Sequence, residues 1–260
     1  MAGRLFVHVG THKTGTTSVQ VFLRGHAAAL RRQGLYVPTT GTTDGQSGHH
    51  SLAWELYGDE RFDPALGGAE ELIEELGRSG AARAIVSAED LEFLNVHPEA
   101  LGRFDRMLGE AGWDPVYLAF FRRPEAYAVS LYGTLRARHK VRRCFLSYLR
   151  QILKDGAYRT GSEFYEFGRD RFAGRWQAAT RPDCLRILDF DESLAAGGPV
   201  VALLRAIGIE DEALLAEAAK APRENPGRRR WLEKRIMKMR SVRGRLDAAI
   251  HGPDAEPGPR

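Results

Sequence analysis

The sequence predicts an α/β fold, a three-layer sandwich with a central, mostly parallel sheet. Short apolar runs typical of buried strands alternate along the chain with segments of helical periodicity, which is the pattern of parallel strands joined by helices. The first apolar run leads into a glycine-containing loop and then into a helix, which predicts a phosphate-binding loop after the first strand. No internal repeat indicates a solenoid or a propeller.

The predicted elements follow in chain order. Five apolar runs are predicted strands: residues 5–10, 35–37, 84–87, 116–121 and 185–188. Five segments have the periodicity of amphipathic helices: residues 19–30, 51–57, 69–76, 98–111 and 124–135. Gly34 ends the first helix and Pro38 ends the second strand. The loop at residues 39–48 is rich in glycine, threonine and serine, which is typical of a mobile lid or of plain surface.

Composition bounds the class of protein. With 260 residues, 43% hydrophobic and 28% charged, the chain is predicted to form one domain over residues 1–252, followed by a disordered Pro/Gly-rich tail at 253–260. No apolar stretch reaches the roughly 18 residues of a membrane span, and we expect no secretory signal. Cys144 and Cys184 lack C-x-x-C spacing, which favours reduced cysteines and a cytoplasmic location.

The net charge of +4 conceals two basic stretches. Residues 220–245 contain eleven lysines and arginines against two glutamates, and residues 136–150 contain six against no acid. Such stretches favour a polyanionic ligand, such as a multiply phosphorylated nucleotide, a nucleic acid or an acidic glycan. The alternative is that they are the solvated faces of helices in an arginine-rich chain.

The loop from Gly10 to Thr17 has the features of an anion site. A strand that leads through a glycine-containing loop into a helix points the first unpaired N–H groups of that helix, and its dipole, at a ligand. Gly10 and Gly15 have the spacing of the pattern G-x-x-x-x-G-K-[ST], but Thr16 stands where that pattern has its lysine. The lysine of this loop is Lys13. The alternative is an ordinary Gly/Thr turn.

The run VGTHKTGTTS around Lys13 resembles the 5′-phosphosulfate-binding loop of sulfotransferases that use 3′-phosphoadenosine 5′-phosphosulfate (PAPS), in which a Lys-x-Gly-Thr-Thr core follows the first strand. The chain is most similar to bacterial sulfotransferase-like proteins, which have a P-loop-related fold. The resemblance implies that Lys13 contacts the oxygen bridging sulfate and phosphate. His12 lies inside the loop, where it is a candidate for contact with the sulfate; the alternative is a loop side chain that faces solvent. By the same resemblance, the 5′-phosphate is held by Thr14, Gly15, Thr16 and Thr17.

A second motif follows the fourth predicted strand. In the sulfotransferase family the 3′-phosphate site resembles Arg-x-Pro with a serine eight residues after the arginine, and Arg122 and Ser130 have this register around Pro124. An arginine fork at the end of a strand and a serine hydroxyl on the next helix can converge on one phosphate. Arg123 departs from the asparagine or aspartate that usually stands between the arginine and the proline.

Two later segments extend the resemblance. Residues 185–194, LRILDFDESL, are similar to the late strand and acidic turn of the family. In the family a late basic loop often closes over the 3′-phosphate, and the resemblance implies this role for Arg228 and Arg229. The alternative is that these arginines form the solvated basic start of a helix.

The transfer of a sulfuryl group needs a base for the proton of the acceptor hydroxyl. Glu89 follows the third predicted strand, at the sheet edge where the anion loop also lies, and is the first candidate. His49 and His50 are the rivals, because a neutral imidazole can act as a base near pH 7. A metal site at the two histidines lacks further ligands at metal-binding spacing, so no metal is expected.

These features predict a PAPS-dependent sulfotransferase that transfers a sulfuryl group to a hydroxyl acceptor and releases adenosine 3′,5′-bisphosphate (PAP). The expected partners are the nucleotide donor and a carbohydrate or small-molecule acceptor, without nucleic acid. One alternative is a P-loop kinase that uses ATP and magnesium, which the absent lysine at Thr16 disfavours. The other alternative is a module that binds a polyanion or a nucleic acid. It is disfavoured because aromatic residues for base stacking are few in the basic C-terminal segment.

Overall fold

The computed structural model of the chain describes residues 2–42 and 47–221. These residues fall into two compact units, of which the first comprises residues 2–121 and 175–221 and the second residues 122–174. The single domain over residues 1–252 stays a prediction. The predicted tail at 253–260, the basic stretch beyond residue 221 and the two arginines at 228 and 229 lie outside the described residues.

Strands and helices alternate along most of the described chain. The strands are β1 Gly3–Gly10, β2 Arg83–Ser87, β3 Trp113–Phe121, β4 Ala157–Thr160, β5 Glu163–Glu166 and β6 Leu185–Asp189. The α-helices are α1 Thr16–Gly25, α2 Ala27–Arg32, α3 His50–Tyr57, α4 Ala69–Ser79, α5 Pro98–Glu110, α6 Pro124–Ala137, α7 Phe145–Asp155, α8 Arg169–Ala179, α9 Phe190–Ala195, α10 Pro199–Ala206 and α11 Glu212–Ala219. Two 3₁₀ helices span Pro64–Leu66 and Glu89–Val96.

The first unit contains a four-stranded parallel sheet in the order β2-β1-β3-β6. Apolar side chains on both faces of β1 and β3 are buried, as expected for parallel strands that helices cover on both sides. Phe6, Leu118 and Phe120 pack with α1, α10 and α11 on one face. On the other face the Tyr117 hydroxyl donates a hydrogen bond to Asp105 of α5 at 3.1 Å. The predicted α/β fold with a central parallel sheet is therefore confirmed.

Two predicted elements differ from those observed. The helix predicted over residues 19–30 is interrupted at His26, whose backbone N–H donates to the Phe22 carbonyl at the end of α1 and whose ring stacks on Phe22 with centroids 4.0 Å apart. The strand predicted at residues 35–37 is a single parallel bridge between Tyr36 and Ala84. Apolar periodicity continues through both places, so it does not reveal where the backbone hydrogen bonding changes.

The order of the strands brings the loop after β1 and Glu89 to one edge of the first unit. Strands β2 and β3 flank β1 on opposite sides, so the chain changes direction along the sheet after β2. In open parallel sheets, ligands bind outside the carboxyl ends of the strands at such a point. The loop after β1 and the 3₁₀ helix after β2 both leave the sheet at this edge.

The second unit contains α6, α7 and the antiparallel hairpin of β4 and β5, which pack through aromatic side chains. Tyr148 contacts Tyr158 with ring centroids 4.6 Å apart, and Tyr127 contacts Phe167 at the same separation. The basic stretch at residues 136–150 lies in the end of α6, the following turn and α7, and its cationic side chains are exposed. Lys140 is paired with Glu163 at 2.5 Å.

Among the described residues, no helix combines the length and the apolar character that crossing a bilayer requires.

Candidate functional site

The loop between β1 and α1 is fastened to the neighbouring strand and to itself. The backbone N–H and the hydroxyl of Thr11 both donate to the carbonyl of Phe120 in β3, at 3.1 and 2.9 Å. The Thr14 hydroxyl donates to the carbonyl of Thr11, which closes the loop internally. Both threonines are buried. Their side chains therefore fix the path of the loop.

The loop enters α1 through a left-handed residue. Gly15 is the N-cap of α1 with a φ of 78°, and a Cβ atom there would lie 2.8 Å from the Cγ atom of Pro199. Lys13 also has a positive φ, 64°, which costs energy for a residue with a side chain and is frequent at functional loops. The first turn of α1 contains no acidic residue, and no side chain caps it. This end of the helix consequently favours an anion.

His12 points from the loop into a group of carboxylates. Glu92 accepts the backbone N–H of His12 at 2.6 Å and lies 3.0 Å from its ring Nδ1, while Asp90 lies 3.5 Å from Nε2. Burial lowers the pKa of His12, but the attraction of Glu92 and Asp90 outweighs it and raises the pKa to about 10. Both ring nitrogens thus face carboxylates, and His12 anchors the loop to the 3₁₀ helix Glu89–Val96.

Glu89 is the first residue of that 3₁₀ helix, two residues after the end of β2. Its Oε2 atom accepts a hydrogen bond from Gln20 Nε2 of α1 at 2.6 Å and lies 3.9 Å from Nε2 of His50. Its Oε1 atom has no hydrogen-bonding partner in the described part of the chain. Burial raises the pKa of Glu89, but the charges of His12 and His50 and the Gln20 hydrogen bond prevail and lower it.

Asp90 lies between two histidines and two further donors. His50 Nδ1 is 3.4 Å from Asp90 Oδ2, the indole N–H of Trp54 donates to the same oxygen at 2.7 Å, and Arg61 NH1 is 3.7 Å away. Burial raises the pKa of Asp90, yet the nearby rings of His12 and His50 hold it well below its ordinary value. We refer to five side chains as the histidine–carboxylate cluster: His12, His50, Glu89, Asp90 and Glu92.

The adjacent residues His49 and His50 have different surroundings. The Ser87 N–H donates to His49 Nδ1 at 3.1 Å, and His49 Nε2 is 3.1 Å from the Pro38 carbonyl, which it serves as donor. Both nitrogens of His49 are therefore engaged with backbone, and burial lowers its pKa to about 4. Burial also opposes the charge on His50, but its contacts with Asp90 and Glu89 raise its pKa. Only His50 joins the cluster.

The residues of the second predicted motif belong to the second unit. Arg122 directly follows β3, is half-buried and precedes α6, whose N-cap is the exposed Arg123. Ser130 lies in the middle of α6 and is buried. That Arg122 and Ser130 bind one phosphate stays a prediction.

The structure adds site residues that the sequence reasoning missed. Gln20, Trp54 and Arg61 contact Glu89 or Asp90, and Glu92 holds His12. A signal was available for Glu92, because it stands alone in the apolar run Leu91 to Leu94, where an acid has to be buried. Within the described ranges, 2–42 and 47–221, no group of three or more histidine, cysteine or acidic side chains could hold a metal ion.

Similarity to known proteins is detectable in structure. No protein-family model matches the chain, and no curated protein sequence matches it. A sulfotransferase structure from Alicyclobacillus acidocaldarius aligns with 96% of this chain and 97% of its own, at 18% identity and a TM-score of 0.48. Mouse sulfotransferase SULT7A1, crystallised with PAP, aligns with 98% of this chain and 68% of its own, at 13% identity and a TM-score of 0.39. At these identities and TM-scores the alignments support no conclusion about the activity of this chain.

Proposed function

We propose that this chain is a sulfotransferase that transfers a sulfuryl group from PAPS to a hydroxyl acceptor. The observation that carries the proposal is the proximity of the loop after β1 to the Glu89 carboxylate, one oxygen of which has no partner within residues 2–42 and 47–221. A Cβ atom on Gly10, at the start of the loop, would lie 3.4 Å from the Cα atom of Glu89. The loop after β1 and the first residue of the 3₁₀ helix after β2 are therefore in direct contact.

The donor set of the loop supports a phosphosulfate. The loop offers the ammonium of Lys13, the hydroxyls of Thr16 and Thr17, and the amides at the start of α1, which has no acidic residue in its first turn. Gly15 leaves no Cβ atom at the point where the loop meets the helix. Thr14 is committed to the loop itself through its hydroxyl. We assign the 3′-phosphate to Arg122 and Ser130, on the motif they share with the family.

The proposed reaction breaks the bond between sulfur and the bridging oxygen of PAPS and forms a bond between sulfur and the acceptor oxygen. The bridging oxygen leaves as part of the 5′-phosphate of PAP, where Lys13 and the helix amides stabilise its charge. The acceptor hydroxyl loses its proton to Glu89. Alignment and charge stabilisation account for most of the rate, because the protein forms no covalent bond in this step.

Among the three candidate bases, the contacts favour Glu89. His49 has both nitrogens engaged with backbone groups. Burial opposes the charge on His50, but its contacts with Asp90 and Glu89 raise its pKa, which favours the protonated imidazole, and that form cannot accept a proton. The pKa of Glu89 is lowered, so its carboxylate is ionised, and Oε1 has no partner among the described residues.

To test the proposal, the protein is incubated with sulfur-labelled PAPS and each of a panel of phenols, sugars and alcohols, and transfer of the label to these compounds is measured together with the release of PAP. We expect PAP release that depends on a hydroxyl compound and is lost in Glu89→Gln. A chain that leaves the label on PAPS with every acceptor, and instead transfers the terminal phosphate of ATP in the presence of magnesium, contradicts the proposal and favours the kinase alternative.

A further inference from the structure

The two oxygens of the Glu89 carboxylate have different surroundings. The Oε2 atom lies between Gln20 Nε2 at 2.6 Å and His50 Nε2 at 3.9 Å. The opposite nitrogen of the His50 ring lies 3.4 Å from Asp90 Oδ2. One imidazole therefore bridges two carboxylates that are adjacent in sequence.

We propose that Asp90 is a positioning residue for the transfer reaction, which fixes His50 against Oε2 of Glu89 so that Oε1 is the oxygen presented to the acceptor hydroxyl. This inference rests on the proposed function, because it takes Glu89 as the base.

The local geometry explains how neighbouring acids take separate roles. In a 3₁₀ helix with three residues per turn, successive side chains point about 120° apart. Glu89 and Asp90 consequently leave the helix in different directions, and the ring of His50 spans the gap between them. In its protonated form His50 also reduces the repulsion between the two carboxylates, because its charge is opposite in sign to both.

Asp90 is itself held in place, as a positioning residue requires. The indole N–H of Trp54 donates to Asp90 Oδ2 at 2.7 Å, and the same ring stacks on His50 with centroids 5.8 Å apart. The guanidinium of Arg61 lies over the Trp54 ring at 4.7 Å and is fixed by Asp59. Asp90, His50 and Glu89 are thus arranged like a catalytic triad in one respect: a buried carboxylate orients an imidazole next to the reacting group.

The direct test compares Asp90→Asn with the unchanged protein in steady-state kinetics and donor binding. Asparagine keeps the shape and can accept the Trp54 hydrogen bond, but it has no negative charge to attract a protonated imidazole. We expect kcat to fall by about 10²-fold, the effect of a small misplacement of a reacting group, while the PAP affinity changes less than about twofold. Asp114→Asn is the matched control, because Asp114 is half exposed, pairs with Arg4 at 3.4 Å and lies outside the cluster. It should leave kcat unchanged.

A double-mutant cycle separates positioning from general destabilisation. If Asp90 acts through His50, then Asp90→Asn combined with His50→Gln lowers kcat no more than the larger single effect. Independent losses that multiply in the double variant overturn the inference. An equal fall in PAP affinity and kcat in Asp90→Asn overturns it as well, because that pattern indicates a disturbed fold.

A readout without turnover distinguishes this inference from the proposed function. Ring-proton NMR of the ligand-free protein, with the His50 signal assigned by its loss in His50→Gln, gives the titration of His50. We expect its pKa to fall in Asp90→Asn, and an unchanged titration contradicts the Asp90 contact. If the His50 titration shifts but no sulfuryl transfer occurs in the unchanged protein, the contact stands and the proposed function fails.

Discussion

The Glu89 carboxylate is the proposed base, so a single substitution tests its role. Glu89→Gln keeps the size and the hydrogen-bonding shape of the side chain but removes its basicity. Because the proposed donor-binding role of the loop after β1 is independent of that proton transfer, we expect kcat to fall by about 10² to 10⁴ and the PAP affinity to stay within a few-fold. Steady-state kinetics and calorimetry measure the two quantities.

Parallel variants at the adjacent histidines complete this comparison. His49→Asn is expected to lower the stability, because it removes contacts to Ser87 and Pro38, with turnover per folded molecule preserved. Near wild-type turnover in Glu89→Gln, together with a large loss in His50→Asn, would show that the loop histidine is the base.

Three buried histidines, whose pKa values are shifted in opposite directions, predict how the stability of the protein depends on pH. Burial lowers the pKa of His8 and of His49 to about 4, below the ordinary 6.5, so the unfolded chain binds more protons and stability falls as the pH drops from about 6.5 towards 4. The carboxylates around His12 raise its pKa to about 10 despite burial, so stability falls as the pH rises from about 6.5 towards 10. Urea unfolding across this range should therefore show maximal stability near pH 6.5, and a midpoint that still rises between about pH 7 and 9 would contradict the His12 contacts.

At the residue scale the sequence predicts individual side chains better than their partners. Glu89 and His50, chosen from their places after predicted loops and strands, do meet at the sheet edge. The separation of His49 from His50 depends on backbone groups of Ser87 and Pro38, which are distant in sequence from one another. No pattern within the pair itself reveals which ring turns towards the carboxylates.

The loop between β1 and α1 depends on a glycine at one position. In Gly15→Ala the added Cβ lies 2.8 Å from Pro199 Cγ at a φ of 78°, so we expect a loss of about 1–3 kcal/mol in stability and weaker PAP binding. Gly34→Ala is the matched control, because Gly34 has a φ of 74° and nothing within 4 Å of its added Cβ. Thermal unfolding and calorimetry compare the two variants. Equal losses in both would leave only backbone conformation as the cause and contradict a role for the Pro199 contact.

Elements with a clear pattern of apolar residues are predictable from the sequence, and those without such a pattern are not. The buried runs at residues 84–87 and 116–121 lie within β2 and β3, since apolar runs bounded by turns are typical of parallel strands. The 3₁₀ helix Glu89–Val96 carries three acids, of which Asp90 and Glu92 are buried, and it has no such pattern. Its acids are tolerated because His12 and His50 come from other parts of the chain to meet them, a tertiary effect that local sequence does not encode.

At the scale of the whole molecule, the motif in the second unit makes a prediction of its own. Arg122→Ala is expected to weaken PAP binding by about 1.5–3 kcal/mol, because it removes the proposed charged hydrogen-bonding partner of the 3′-phosphate. Binding of adenosine 5′-monophosphate, which lacks that phosphate, should change little. Arg123→Ala is the control, since Arg123 is adjacent and exposed. Calorimetry that gives the same loss for both nucleotides would contradict the assignment of Arg122.

The fold class could be predicted from the sequence, whereas the hairpin and the packing of the second unit could not. Its hairpin β4–β5 has strands of four residues, too short for an alternating pattern to stand out. The unit is held by contacts between aromatic rings, such as that of Tyr148 with Tyr158, and these depend on helix α7 packing against β4. Such pairings are properties of the packed unit and leave little trace in either segment alone.

The central claim is that the chain binds the nucleotide of PAPS, and the most direct measurement compares PAP with ATP and magnesium in thermal unfolding of the intact protein. At a PAP concentration about 100 times the dissociation constant, we expect a stabilisation of roughly 2.7 kcal/mol, and a much smaller effect from ATP with magnesium at the same concentration. Stabilisation by ATP and magnesium that equals or exceeds that by PAP would contradict the account.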